Sequence, residues 1–288
     1  MPAAPKIYIH SLLILGRVSN LPTVWSNCLA GWWLGGGGSI LNLLTLCSSA
    51  TALYIGGMFL NDAMDVDFDR VFRSERPIPS GKISLRHVWI WGLSLLVGGL
   101  GLLGFLGLPP VIFGLCTVAS ILFYDWIHKS TVLSPLIMAG CRFFLFLTAA
   151  SVGNQGVSGI VVWSAVALAS YIVGLSYLAK NESQPGPLRY WPCIALFVPL
   201  VLAWFINAGD YRRPSQIMIL ASALWIVQTL RIAFGKSSDR MGRAVSQLLA
   251  GIVIIDLLAL AGGPPEVALV LVGLFLLSLL SQRFIPAT

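Results

Sequence analysis

Apolar runs broken by charge clusters or by Gly and Pro recur along the whole chain. They lie at 20–37, 41–61, 86–107, 109–127 and 132–152, then at 158–179, 190–208, 215–234, 243–262 and 265–284. Each is close to the roughly 20 residues that a helix needs to cross about 30 Å of hydrocarbon at about 1.5 Å per residue. Lipid offers no hydrogen bonds, so backbone groups must be paired within each segment, which selects helices over open strands. The pattern predicts an all-α, polytopic bundle of nine to ten transmembrane helices. The earlier apolar stretch from Ile7 to Gly16 is short, is followed by Arg17 and lacks a small-x-small cleavage site, so it is not read as a removable leader.

Composition agrees with this picture. Hydrophobic residues make up 57% and charged residues 10% of the chain, against about 25% charged in soluble domains, and the mean hydropathy is +0.86. The charges fix an orientation, because Lys and Arg concentrate in cytoplasmic loops. Lys6 and Arg17 precede the first run; Arg70, Arg73, Arg76, Lys82 and Arg86 follow the second; Lys129 follows the fourth; Lys180 and Arg189 follow the sixth. Arg231, Lys236, Arg240 and Arg243 surround the loop after the eighth and Arg283 closes the tenth, leaving only Arg212 and Arg213 on the opposite face. Both termini and the acidic loop after the second run are therefore expected in the cytoplasm. The net charge of +7 is explained by topology and by anionic membrane lipids, so nucleic acid is not an expected partner. The opposite-face loops are short, so the chain reads as one membrane domain over 1–288. Five cysteines sit inside apolar runs without CxxC pairing and read as small buried hydrophobes.

The chemistry concentrates where the second run ends. Asn61, Asp62, Asp65 and Asp69 form the pattern N-D-x-x-D-x-x-x-D. On a continuous helix Asp62, Asp65 and Asp69 fall within about 60° of one another, one stripe of three carboxylates, while Asp67 points away. Crowded carboxylates repel one another without a cation, and hard oxygen ligands of this kind favour Mg²⁺, typically shared with substrate phosphates. Acidic groups beside a bilayer are costly enough to imply function, although an acidic helix end balanced by Arg70, Arg73 and Arg76 would look similar. Arg142 and Asp256 lie inside the fifth and ninth runs, as a structural ion pair or as cavity residues. Neither Gly81-Lys82 nor Gly235-Lys236-Ser237 completes a phosphate-binding loop, and His10, His87 and His128 lack metal-ligand spacing.

These features resemble the UbiA superfamily of intramembrane prenyltransferases. The segment from Asn61 to Asp69 matches its first Asp-rich motif. Arg73 to Lys82 looks like its R-P-x-P-S-G segment, Arg17 with Asn20, Pro22 and Asn27 is similar to the opening of its first helix, and Tyr124 to Lys129 resembles its tyrosine-to-lysine element. The resemblance implies a helical bundle over about 10–262 around a central cavity, with an additional C-terminal helix at about 265–284. It further implies Mg²⁺-dependent transfer of a prenyl group from a prenyl diphosphate to an aromatic or other lipophilic acceptor. Asn61, Asp62, Asp65 and Asp69 would be catalytic, with Asp62, Asp65 and Asp69 on the metal. Arg17, Asn20, Arg76, Tyr124, Lys129, Tyr177, Lys180 and Glu182 would contact substrate. Arg76, Lys129 and Lys180 are equally readable as positive-inside anchors, and Tyr54, Tyr124, Tyr171 and Tyr177 as cation shields or as packing.

The second Asp-rich motif of that superfamily is absent. Its place reads Ser176-Tyr177-Leu178-Ala179-Lys180-Asn181-Glu182-Ser183, a departure that resembles the divergent EboC-like branch. Either the Lys180 ammonium replaces the second metal as counter-charge, or the site has lost catalysis and the protein binds or carries a lipid-like intermediate. A third reading keeps the enzyme but changes its reaction, to terpene cyclisation or headgroup prenylation.

Overall fold

The computed structural model describes residues 5–129, 131–183, 190–207, 212–235 and 240–287, with backbone alone at 5–7 and 181–183. Arg189 and Lys236, and the side chains of Lys6, Asn181, Glu182 and Ser183, lie outside the described residues. Among the described residues every regular element is helical. A helix α1 (Pro5–Leu15) and a 3-10 turn at Val18–Asn20 lead into α2 (Leu21–Leu34), then α3 (Ile40–Met64) and a short α4 (Val66–Phe72). Next come α5 (Leu85–Gly104), α6 (Leu108–Ile127), α7 (Ser134–Val152) and α8 (Gly159–Ser183). A 3-10 stretch at Trp191–Phe197 runs into α9 (Val198–Ile206), followed by α10 (Arg212–Ala233), α11 (Arg240–Ala259) and α12 (Pro265–Ser281).

Helices occupy all ten apolar runs. Seven of them, α3, α5, α6, α7, α8, α10 and α11, are long and apolar enough to cross a bilayer by themselves, and the chain is an integral, multi-pass membrane protein. The remaining three places hold the 14-residue α2, the stretch Trp191–Ile206 and α12. Proline near the N-terminus starts α2, α6, α7 and α12, where its missing N–H costs nothing. α2 tolerates its shortness because it is almost wholly buried, wrapped by α3, α7, α11 and α12. Contact with lipid therefore does not set its length.

Lipid tails are as apolar as leucine, so close packing of small residues holds such helices together. At α3 against α5, a side chain added at Gly56 would meet the Gly92 carbonyl at 2.9 Å, and Ser49 Oγ donates to the Gly99 carbonyl at 2.7 Å. The glycine run after α2 forms a hydrogen-bonded turn. Gly36, Gly37 and Gly38 all have positive φ, which brings the Gly37 carbonyl to the Asn154 N–H at 2.9 Å and ties the ends of α2 and α7. The helix ends bearing Arg17, Asp65, Lys129 and Lys180 meet at one end of the bundle, over a cavity between α3, α6, α7, α8 and α11.

Candidate active site at the cavity mouth

The acidic motif is not carried on one continuous helix. α3 stops at Met64, and Asp65 (φ −85°, ψ 0°) both caps it, through its N–H to the Asn61 carbonyl at 3.0 Å, and starts α4. The stripe of three carboxylates expected from the spacing is therefore split. Asn61 and Asp65 line the cavity. Asp62 and Asp69 converge on the opposite flank, where one Arg76 nitrogen, Nη1, lies 3.0 Å from Asp62 Oδ1 and 3.0 Å from Asp69 Oδ2. Arg17 adds a longer contact to Asp62 at 3.5 Å. Its backbone sits at φ 41°, ψ 48°, the left-handed region that a non-glycine residue occupies only at a cost. Asp67 points outward, as its spacing predicted, and pairs with Arg70 at 3.0 Å.

Asp65 meets the end of α6. Lys129 Nζ lies 2.6 Å from Oδ1 and His128 Nε2 lies 3.4 Å from Oδ2. Lys129 is also seated over the Phe68 ring at 4.4 Å, and His128 stacks on Tyr124 with ring centroids 5.0 Å apart. Burial pushes the Asp65 carboxyl upward, yet the hydrogen bonds and charges of His128 and Lys129 outweigh it and hold the group below the usual carboxylate range. Burial likewise opposes a charge on His128, but Asp65 prevails and raises it above the ordinary imidazole value. Asp65 is therefore an anion facing the cavity. The spacing of the histidines gave no hint of His128, whose signal was its place one turn after Tyr124 and beside Lys129.

Other residues expected in the site fall in different places. Lys180 reaches the mouth from α8, donating to the Thr131 carbonyl at 3.0 Å and to Ser134 Oγ at 3.4 Å. Tyr124 lines the cavity, as do Ser176 and Ala179 beside Lys180. Tyr177 turns to another flank of α8 and packs against the core. Tyr171 is fully buried and donates to the Leu248 carbonyl at 2.9 Å. Asn20 stands at the mouth with Nδ2 donating to the Ala287 carbonyl at 2.9 Å. The segment after α12 thus returns to the opening, and Ala287 forms part of the cavity wall.

The cavity beneath this mouth holds about 570 Å³ and becomes apolar with depth, lined by Leu53, Leu145, Ile172, Leu175, Leu249 and Ile252. Its one deep charge is Arg142, among the described residues. Arg142 does not touch Asp256 directly. It donates to Asn27 Oδ1 at 2.8 Å and to Thr23 Oγ1 at 3.1 Å, while Asn27 Nδ2 and Ser26 Oγ donate to Asp256 at 2.7 and 2.6 Å. Asn27 carries the pairing that the two charges alone suggested, and both are hydrogen-bonded as buried ions must be.

Among the described residues no three His, Cys, Asp or Glu side chains converge as a ready-made metal cage. Mg²⁺ does not require one, since it keeps several waters and takes one or two carboxylates together with substrate phosphates. The donors present fit that demand: Asp65 faces the cavity, and Asp69 Oδ1 and Asp125 Oδ2 are buried carboxylate oxygens without a partner among the described residues. Asp125 was missed in the sequence, although an acidic residue inside an apolar run was the signal available.

The fold and this opening define a polytopic helical membrane protein whose greasy interior is entered through an acidic and basic mouth. The chain matches the UbiA prenyltransferase family over residues 20–182, more than half its length, and belongs to that family. It is 33% identical over 129 residues to the digeranylgeranylglyceryl phosphate synthase of Pyrococcus abyssi, covering 43% of this chain and 45% of that relative. Against the synthase of the same name from Saccharolobus solfataricus it is 25% identical over 241 residues, covering 78% and 72% of the two chains. The fold is shared with a UbiA homologue from Archaeoglobus fulgidus solved with GPP and Mg²⁺, at a TM-score of 0.66 and 14% identity over 95% of this chain and 99% of that one.

Proposed function

We propose that this protein is an intramembrane prenyltransferase that transfers a prenyl group from a prenyl diphosphate to an aromatic or other lipophilic acceptor, with Mg²⁺. The observation that carries this reading is a charged mouth on an apolar cavity, where Lys129 and His128 hold Asp65 and where Arg76 and Lys180 also line the opening. Such a site suits an amphipathic ligand with a polyanionic head and a hydrocarbon tail. The relatives named digeranylgeranylglyceryl phosphate synthase and the GPP-bound and Mg²⁺-bound homologue support donor class and metal. A glyceryl phosphate that already carries a prenyl chain would fall within the lipophilic class.

In this mechanism the tail enters between α3, α7, α8 and α11, and the head stays among Asn61, Asp65, Lys129 and Lys180. Asp65 and Asn61 would hold Mg²⁺, which neutralises diphosphate charge when bound. Lys129 and Lys180 donate to the departing diphosphate oxygens as the allylic C–O bond breaks and its electron pair leaves with them. The acceptor then attacks the allylic carbon and loses a proton. Fixed cations act strongly in this water-poor cavity, so leaving-group stabilisation is the largest contribution. Tyr124 presents its ring to the cavity where positive charge develops.

Lys180 is assigned the role of counter-charge in place of the missing second acidic motif. A charge-assisted hydrogen bond contributes about 1.5–3 kcal/mol, so Lys180→Gln is expected to weaken binding of geranylgeranyl diphosphate by about tenfold or more, read by titration of the purified protein. Unchanged affinity would leave Lys180 as a membrane anchor only. A second reading, a silent lipid carrier, draws on one observation: each aspartate of the motif already has a protein cation beside it.

We read the chain as one membrane domain, a bundle over about 10–262 with α12 added against α2 and α11, and place both termini and the acidic motif on the cytoplasmic side. A C-terminal green fluorescent protein fusion is expected to fluoresce and an alkaline phosphatase fusion to stay inactive. The reverse pair of results would overturn the orientation.

A further inference from the structure

α8 carries no aspartate where the superfamily's second Asp-rich motif would lie, whereas α6 carries one, Asp125, beside the cavity. Asp125 lies in the cavity wall at 5% exposure, inside the apolar span Leu108–Ile127. Its Oδ1 accepts from Asn61 Nδ2 at 3.0 Å, while Oδ2 is buried without a partner among the described residues. A buried polar atom left unmatched costs about 1–3 kcal/mol, and a carboxylate inside a span costs more still unless something compensates it. Simple structural use would leave that oxygen idle. Asp125 also belongs to the helical turn that reaches Asp65: His128, three residues on, points Nε2 at Asp65 and holds its Nδ1 by the Asp125 carbonyl at 3.1 Å.

We propose that Asp125 is part of the cation site, supplying from α6 the second carboxylate that the family-like motif would have drawn from α8. This rests on the magnesium-dependent reading above and names a further residue of the same site. Asp125 acts in two ways. Oδ2 offers a hard oxygen to a divalent cation, directly or through a water. Oδ1 takes the amide NH₂ of Asn61, which fixes the orientation of that amide and leaves its carbonyl oxygen for the cation. Asp65, Asp125 and the Asn61 carbonyl then form a small oxygen set of the kind Mg²⁺ accepts when phosphates complete its shell.

The test uses the full chain in detergent with Mn²⁺ as a spectroscopic stand-in and geranylgeranyl thiolodiphosphate as a donor that resists ionisation. Bound and free Mn²⁺ are counted by electron paramagnetic resonance. Losing a residue that orients or completes a metal site lowers affinity about 10- to 100-fold, and Asp125→Asn is expected to fall in that range. Asparagine keeps an oxygen to accept from Asn61, so the α3–α6 contact survives. Asp125→Glu, which restores a carboxylate, is expected to bind Mn²⁺ more tightly than Asp125→Asn. Wild-type affinity in Asp125→Asn, or a glutamate variant no better than the asparagine one, would overturn the assignment. If Asp65→Asn loses Mn²⁺ while Asp125→Asn retains it, this inference fails alone; if the wild-type protein binds no Mn²⁺ with the analogue present, the magnesium-dependent reading fails with it.

Discussion

Asp65→Asn is expected to lower the rate of pyrophosphate release from geranylgeranyl diphosphate by at least about 100-fold, the scale at which removing a preorganised charge-stabilising group acts. Asp65 is the one charged member of the motif that faces the cavity, so the substitution removes a metal oxygen and also unbalances Lys129 and His128, which approach it at 2.6 and 3.4 Å. Asparagine fills the same volume and can still cap α3, and the fold is expected to survive. Release of pyrophosphate, followed with a coupled assay at saturating Mg²⁺, measures the effect. Turnover within a few-fold of wild type would remove Asp65 from the chemistry.

Arg76→Ala should act on stability rather than on a single step. One guanidinium nitrogen holds both Asp62 and Asp69, whose side chains are only 7% and 2% exposed. Breaking a buried pair by deleting one partner costs about 3–5 kcal/mol, because a charge is left buried without compensation. Here two carboxylates are stranded and only Asp62 keeps a second contact, to Arg17. The variant is expected to unfold at a clearly lower temperature and to lose its monodisperse elution in detergent. A triple variant that also converts Asp62 and Asp69 to Asn should regain much of the loss. A stable Arg76→Ala protein would show that the two aspartates do not depend on this residue.

The helical plan was legible because each apolar run is long and its ends carry Pro, Gly or charge. The almost wholly buried α2 could be placed but not its depth, since a helix shielded by four neighbours shows the same apolar composition as one facing lipid. The split motif was hidden for a different reason. Nothing between Asn61 and Asp69 is a helix breaker, and the bend at Asp65 accompanies contacts from α6 that lie more than sixty residues away in sequence. Arg76 was legible as a phosphate candidate, whereas its contacts to Asp62 and Asp69 depend on the returning loop after α4. His128 and Asp125 were not legible as site residues because it is the fold that brings the end of α6 against Asp65. Arg142 and Asp256 were recognisable as partners, and the fold adds Asn27 between them.

The central claim is that the cavity mouth ionises a prenyl diphosphate with magnesium. It is tested most directly by offering the purified protein geranylgeranyl diphosphate together with a lipid extract as acceptor source, and measuring pyrophosphate with and without Mg²⁺. The account predicts release that depends on the metal, stops on chelation and yields a prenylated lipid in the extract. Tight, saturable binding of the diphosphate with no pyrophosphate released, whatever acceptor is present, would contradict it and identify a carrier.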